Sequence, residues 1–182
     1  MNNWKTALRR SLLRPEGPPR VAIVGVGQAL RGDDGAGAQV ACQLARRCDD
    51  ATLLVVEAEH APENCLGLIG RFQPDVVLFI DAARGRGAPG DIVWLRAEEA
   101  DGVGGSTHTL PLALLGEYLI TTTGAAVYVL GISPGEMAFG AGLSDPVARA
   151  VSEVVETLAD YWRRAATVAS AMAAGGVSVV NT

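Results

Sequence analysis

Three short runs of this chain carry no charged side chain, and they set the terms for its fold: VAIVG (residues 21–25), VVLFI (76–80) and AVYVLGI (126–132). A strand with one wet face alternates apolar and polar residues, whereas a strand covered on both faces reads as a continuous apolar run. Runs rich in β-branched residues and separated by stretches of helical length therefore predict parallel strands held between layers of helices. The composition agrees. Apolar residues make up 49% of the chain but aromatics only 5%, so the core is built mainly from aliphatic side chains, which suits helix-covered parallel strands better than an aromatic-rich sandwich.

The intervening segments fill in the pattern. A helix is expected from about Asp34 to Arg47, with Val40 and Leu44 facing inward, and a second strand over residues 53–57. Pro62 fits the first turn of a helix running to Phe72. Residues 92–95 alternate like an exposed strand, and their connection to the preceding strand is too short for a helical crossover, so this strand is expected to be antiparallel. A helix near residues 110–121 leads to the last apolar run. Asp145 and Pro146 then open a long C-terminal helix, with Asp145 as its cap and Val147, Val151, Val154 and Leu158 on its buried face. The fold class is α/β: a three-layer α/β/α sandwich with a mostly parallel, mixed five-stranded sheet.

The 182 residues fit a single domain, placed at 21–172. An N-terminal amphipathic helix and linker occupy 1–20, with Trp4, Leu8 and Leu12 recurring every fourth residue, and a flexible tail is expected at 173–182. Arg9 and Arg10 resemble an export signal, but no apolar stretch follows them. The apolar stretch at 165–180 is short for a membrane span and is broken by Ser170, Gly175, Gly176 and Ser178. A net charge of −5 argues against a nucleic-acid surface. Cys42, Cys48 and Cys65 are odd in number and form no metal-binding spacing, which points to a reducing cytoplasm.

In such folds, sites form outside the carboxyl ends of the strands, and three segments reach that edge. The first is GVGQALRGDDGAG (25–37). Gly25, Gly27 and an acid at Glu57 are compatible with a dinucleotide-binding turn, but Leu30 stands where the third glycine belongs and two carboxylates would repel a pyrophosphate. One of Asp33 and Asp34 is accounted for by helix capping; two adjacent acids are more than a cap requires. The second segment ends a buried strand at Asp81. The third, STHTLPL (106–112), carries His108, one of two histidines; the other, His60, follows the second strand in an accessory position. Two carboxylates and an imidazole suit a divalent borderline metal such as nickel or zinc, and three protein ligands leave positions open for water or substrate. The sequence contains no G-x-S-x-G elbow and no HExxH.

With these segments in place the chain resembles the hydrogenase maturation peptidases, closest to the branch serving formate-hydrogenlyase-type and other group 4 hydrogenases. The stretches that carry the resemblance are GVGQALRGDDGAG (25–37), EAEHAPENCLGLIGRFQPDVVLFIDAA (57–83), STHTLPL (106–112) and GISPGEMAFGAGLSDPV (131–147). The resemblance implies a hydrolase, placed among aspartic-type endopeptidases, that removes the C-terminal extension of a nickel-loaded [NiFe]-hydrogenase large-subunit precursor. It implies that Asp34, Asp81 and His108 form the metal-recognition and catalytic site. Nickel is then supplied by the substrate, with no tightly bound cofactor in the peptidase, which is expected to act as a cytoplasmic monomer without membrane insertion. Gln28 and His60 depart from the residues usual in the family, Asn and Thr. A non-enzymatic nickel-sensing chaperone using the same ligands, and a dinucleotide-binding module, are the alternatives.

Overall fold

Alternate residues of the apolar runs face opposite ways, and each set finds its own layer of helices in the computed structural model, which describes residues 4–14, 17–100 and 111–174. Val21 and Ile23 of β1 (Val21–Val26), Leu78 and Ile80 of β3 (Val76–Ala82), and Leu130 and Ile132 of β5 (Ala126–Ile132) join one apolar cluster. They pack with α1 (Trp4–Leu12), α2 (Ala36–Ala45) and α5 (Asp145–Ala174). Ala22, Val24, Phe79 and Val129 join a second cluster beneath α3 (Leu66–Phe72) and α4 (Leu112–Thr123). The result is the three-layer sandwich. Every residue of β1 and β3 is buried, as continuous apolar runs require.

The five strands among the described residues run in the order β2-β1-β3-β5-β4, with β2 spanning Leu53–Glu59 and β4 Ile92–Arg96. The pairings β1–β2, β1–β3 and β3–β5 are parallel, and β4 lies antiparallel to β5 at the edge. The expected antiparallel strand is present, but it does not pair with its predecessor β3. The chain steps over one position, and β5 later fills the gap.

From β1 the chain moves to one side through α2 to form β2, then returns through α3 to form β3 on the other side. These two helices cover opposite faces, so a crevice opens between the carboxyl ends of β1 and β3, where the strand order reverses.

Several boundaries differ from expectation. Asp34 does not begin an α-helix; it lies in a 3-10 turn over Gly32–Gly35 that precedes α2. Asp145 is not the cap of α5, because the first helical bond runs from the Ala148 N–H to the Ser144 carbonyl, which makes Ser144 the capping position. Helix α5 continues past the expected fraying point to Ala174. Among the described residues, no helix is long and apolar enough to cross a membrane.

Candidate active site

Helix α2 reaches the crevice because it begins with almost no side chain. A Cβ on Gly37 would sit on the carbonyl oxygens of Ile80 and Val26, and one on Gly25 on the carbonyl of Gly37. The glycines thus let the α2 N-terminus rest on the ends of β1 and β3. Gly27 holds φ at +120°, and a Cβ there would strike the Asp34 carbonyl. These residues serve close backbone packing within the loop, and Glu57 is exposed on the edge strand β2. The dinucleotide reading is corrected accordingly: the approach a pyrophosphate would need is filled by the chain itself.

Held there, Asp34 is 9% exposed, and its Oδ2 accepts a hydrogen bond from the Gln28 N–H at 3.0 Å. Asp81 is the penultimate residue of β3 and 5% exposed. Its Oδ1 accepts from the N–H of Ala82 at 2.7 Å. Burial pushes its carboxyl up to about 7; the Ala82 N–H opposes this, and the nearby charge of Asp34 adds to it. The two acids thus share one electrostatic environment, and each has lone pairs left for another partner. A carboxyl poised near neutrality is also suited to proton transfer at physiological pH.

Asp33, one residue away, has a different role. Its carboxylate is fully buried and accepts from the N–H groups of Gly135 and Glu136 at 2.8 and 2.9 Å, and from the N–H and hydroxyl of Ser144 at 2.7 and 2.8 Å. Burial disfavours its charge, but the hydrogen bonds from Ser144, Glu136 and Gly135 prevail and hold its carboxyl below the ordinary range. Neither acid caps a helix through its side chain. Asp33 ties the loop after β5 to the loop after β1, a role that sequence reading misses because the partners lie 102 to 111 residues away.

His108 lies outside the described residues. Residues 101–110 lie in sequence between Ala100 and α4, and both Ala100 and Leu112 belong to the α3/α4-side cluster. Helix α4 precedes β5 through a short turn at Gly124, so its first residue lies at the same sheet edge as Asp81. Among the described residues, no group of three His, Cys, Asp or Glu side chains is placed to hold a metal ion; Asp34 and Asp81 offer a pair. His60 is exposed beside Glu59, with Nδ1 3.9 Å from the Glu59 carboxylate.

A sequence model of the hydrogenase maturation proteases matches residues 38–161. The chain belongs to this family. The hydrogenase 3 maturation protease of Escherichia coli K12 is 31% identical over 137 residues, which cover 73% of this chain and 85% of the relative. The crystal structure of a [NiFe] hydrogenase maturation protease from Thermococcus kodakarensis superposes with a TM-score of 0.72 at 30% identity, covering 78% of this chain and 90% of that one. The solution structure of an E. coli endopeptidase of the same kind gives 0.67 at 29% identity, covering 75% and 86%. The chain is therefore a peptide-bond hydrolase of hydrogenase maturation.

Within this protease, the departure at Gln28 has a local explanation: the main-chain N–H of that residue orients Asp34, and any non-proline residue supplies one. The three cysteines are free and partly buried. Cys42 lies within α2, Cys48 just beyond it and Cys65 at the end of the 3-10 turn Pro62–Cys65. None lies in the 3-10 turn that carries Asp34 or at the end of β3 that carries Asp81.

Proposed function

We propose that this protease removes the C-terminal extension of a nickel-loaded [NiFe]-hydrogenase large-subunit precursor in the cytoplasm, and that Asp34, Asp81 and His108 read the nickel carried by that substrate. One observation above all supports this reading: Asp34, in the 3-10 turn after β1, and Asp81, near the end of β3, converge at the switch point of the sheet, and each carboxylate keeps lone pairs free. Carboxylates and an imidazole are a fitting donor set for a borderline divalent ion. An ion presented by the substrate completes the site only when the precursor is loaded, which couples cleavage to metal insertion. The peptide bond next to the bound ion is then held beside carboxylates able to take up or return a proton.

The test uses purified protease and nickel-loaded precursor, followed by intact-mass spectrometry. A discrete C-terminal shortening is expected with the wild type. Asp34→Asn, Asp81→Asn and His108→Ala each lower the single-turnover rate by about a hundredfold or more, as expected for groups that act on the transition state. Precursor processed at the wild-type rate by both acid variants would remove the proposal. Stable nickel binding by the isolated chain, without cleavage of loaded precursor, would instead favour the chaperone alternative.

A further inference from the structure

The pair Arg9-Arg10 resembles an export signal in sequence, yet it stands in the last turn of α1, and nothing in the site described above uses it. From Trp4 to Arg20 the chain holds five cationic side chains, Lys5, Arg9, Arg10, Arg14 and Arg20, against one acid, Glu16, although the whole chain carries −5. Arg9, Arg10 and Arg14 are exposed, and among the described residues none of the three enters an ion pair. The elements packed against α1 are β4 and α5. Strand β4 contains no acid. The acids of α5 along this contact have cations of their own: Glu153 pairs with Lys5, Glu156 with Arg47 and Asp160 with Arg163. The positive charge of α1 is therefore not cancelled by its neighbours.

Cations in a last helical turn also complement the helix dipole, which accounts for Arg9 and Arg10. It does not account for Arg14, beyond the helix end, or for Leu13, which is 73% exposed. The other large apolar residues of α1, Trp4, Leu8 and Leu12, are buried, so Leu13 alone stands in solvent, within four residues of all three arginines. The Tyr161 hydroxyl donates to the Leu12 carbonyl, and the chain enters β1 at Val21. This end of α1 thus lies at the amino ends of the parallel strands, across the sheet from the crevice.

An exposed leucine among guanidinium groups matches a boundary that is anionic outside and hydrocarbon a few ångströms beneath. Guanidinium pairs with phosphate in a two-pronged geometry. A single-stranded nucleic acid would stack on exposed aromatic rings, whereas the aromatic residue of α1, Trp4, is buried.

We propose that the Arg9–Arg14 end of α1 docks this protein on an anionic lipid surface, lying on the headgroups rather than crossing them. The proposal is independent of the nickel reading and goes beyond it. Docking by this end leaves the crevice facing water, open to a protein substrate. Three arginines and one leucine make a weak, reversible anchor.

The test is sedimentation of the full chain with vesicles of phosphatidylglycerol and phosphatidylcholine in about equal parts, and with phosphatidylcholine alone. The wild type is expected to bind only the anionic vesicles, at low ionic strength, and to be released by salt. Replacing Arg9, Arg10 and Arg14 by Gln is expected to weaken binding about fivefold each, the weight of one cation at such a surface. Leu13→Ser is expected to weaken it about fivefold or more. All four positions are exposed, so Tm, and kcat and KM on soluble precursor, should stay at wild-type values. No binding to anionic vesicles at low salt overturns the proposal, and so does binding that the triple Gln variant retains, because another surface is then responsible. A triple variant with raised KM on soluble precursor would assign the arginines to an acidic protein partner instead. Tighter binding of wild type to an RNA oligonucleotide than to the anionic vesicles would assign them to nucleic acid, and either result overturns the lipid assignment.

Discussion

Asp33 and Asp34 are neighbours with opposite duties, and pH separates them. Four hydrogen bonds hold the Asp33 carboxyl below its ordinary value of 3.8. A depressed carboxyl contributes stability that is fully present above the unfolded value and is lost as pH falls through the folded one. Asp33→Ala leaves three main-chain N–H groups without their acceptor, and about 3–5 kcal/mol of destabilisation is expected at pH 7. The Asp33→Asn variant should lose less, and its difference from the wild type should shrink as urea titrations move from pH 7 to pH 3. Asp81 has the reverse sign. Its folded value of about 7 lies above the ordinary 3.8, so ionising it opposes folding increasingly as pH rises through that interval. In metal-free protein, Asp81→Asn keeps an acceptor for the Ala82 N–H and removes the buried charge. It is therefore expected to be more stable than wild type at pH 8, by up to on the order of 4 kcal/mol, with the gain vanishing near pH 4. An Asn variant less stable at pH 8 would contradict this account of the site.

At the scale of elements, the parts legible in the sequence were those fixed by local pattern. The continuous apolar runs located β1, β3 and β5 because burial on both faces leaves no polar position. The acid near the end of β3 stood out for the same reason: Asp81 directly follows the buried residues Val77, Leu78, Phe79 and Ile80. What the sequence concealed was tertiary. Nothing near Asp33 signals that its partners are Gly135, Glu136 and Ser144, and nothing near residues 92–95 signals that β5 will occupy the place beside β3. The helix expected from about Asp34 starts two residues later, at Ala36, because Asp34 and Gly35 complete the 3-10 turn Gly32–Gly35. Gly37 turns the close packing at this point into a prediction about α2. Replacing a helical glycine by alanine normally stabilises by roughly 1 kcal/mol. Here the added Cβ meets the Ile80 and Val26 carbonyls, so Gly37→Ala is expected to destabilise by about 1–3 kcal/mol. It should also lower the processing rate, because it lifts the turn carrying Asp34 away from Asp81. A stabilised, fully active Gly37→Ala protein would show that this contact does not position the acid.

At the scale of the whole molecule, stability and chemistry are drawn from different ends of the sheet. The crevice lies at the β1/β3 switch point. Helix α1 packs at the other end, where it meets β4 and α5. Trp4, Leu8 and Leu12 are buried in the α2/α5-side cluster, Lys5 pairs with Glu153 at 2.9 Å, and the Tyr161 hydroxyl donates to the Leu12 carbonyl at 3.3 Å. The salt bridge is exposed and contributes little, so α1 is held mainly by its three apolar side chains. Leu8 is 3% exposed, and truncating it leaves a cavity that its neighbours close only in part. Leu8→Ala is expected to lower unfolding free energy by about 2–5 kcal/mol, read from urea titrations. The contacts of α1 run to β4, α5 and the α2/α5-side cluster, so kcat and KM on loaded precursor are expected to remain at wild-type values at temperatures where the variant is fully folded. A Leu8→Ala protein that stays fully folded yet loses activity would mean that the two ends are mechanically coupled through the sheet, and that the division between a stabilising end and a chemical end does not hold.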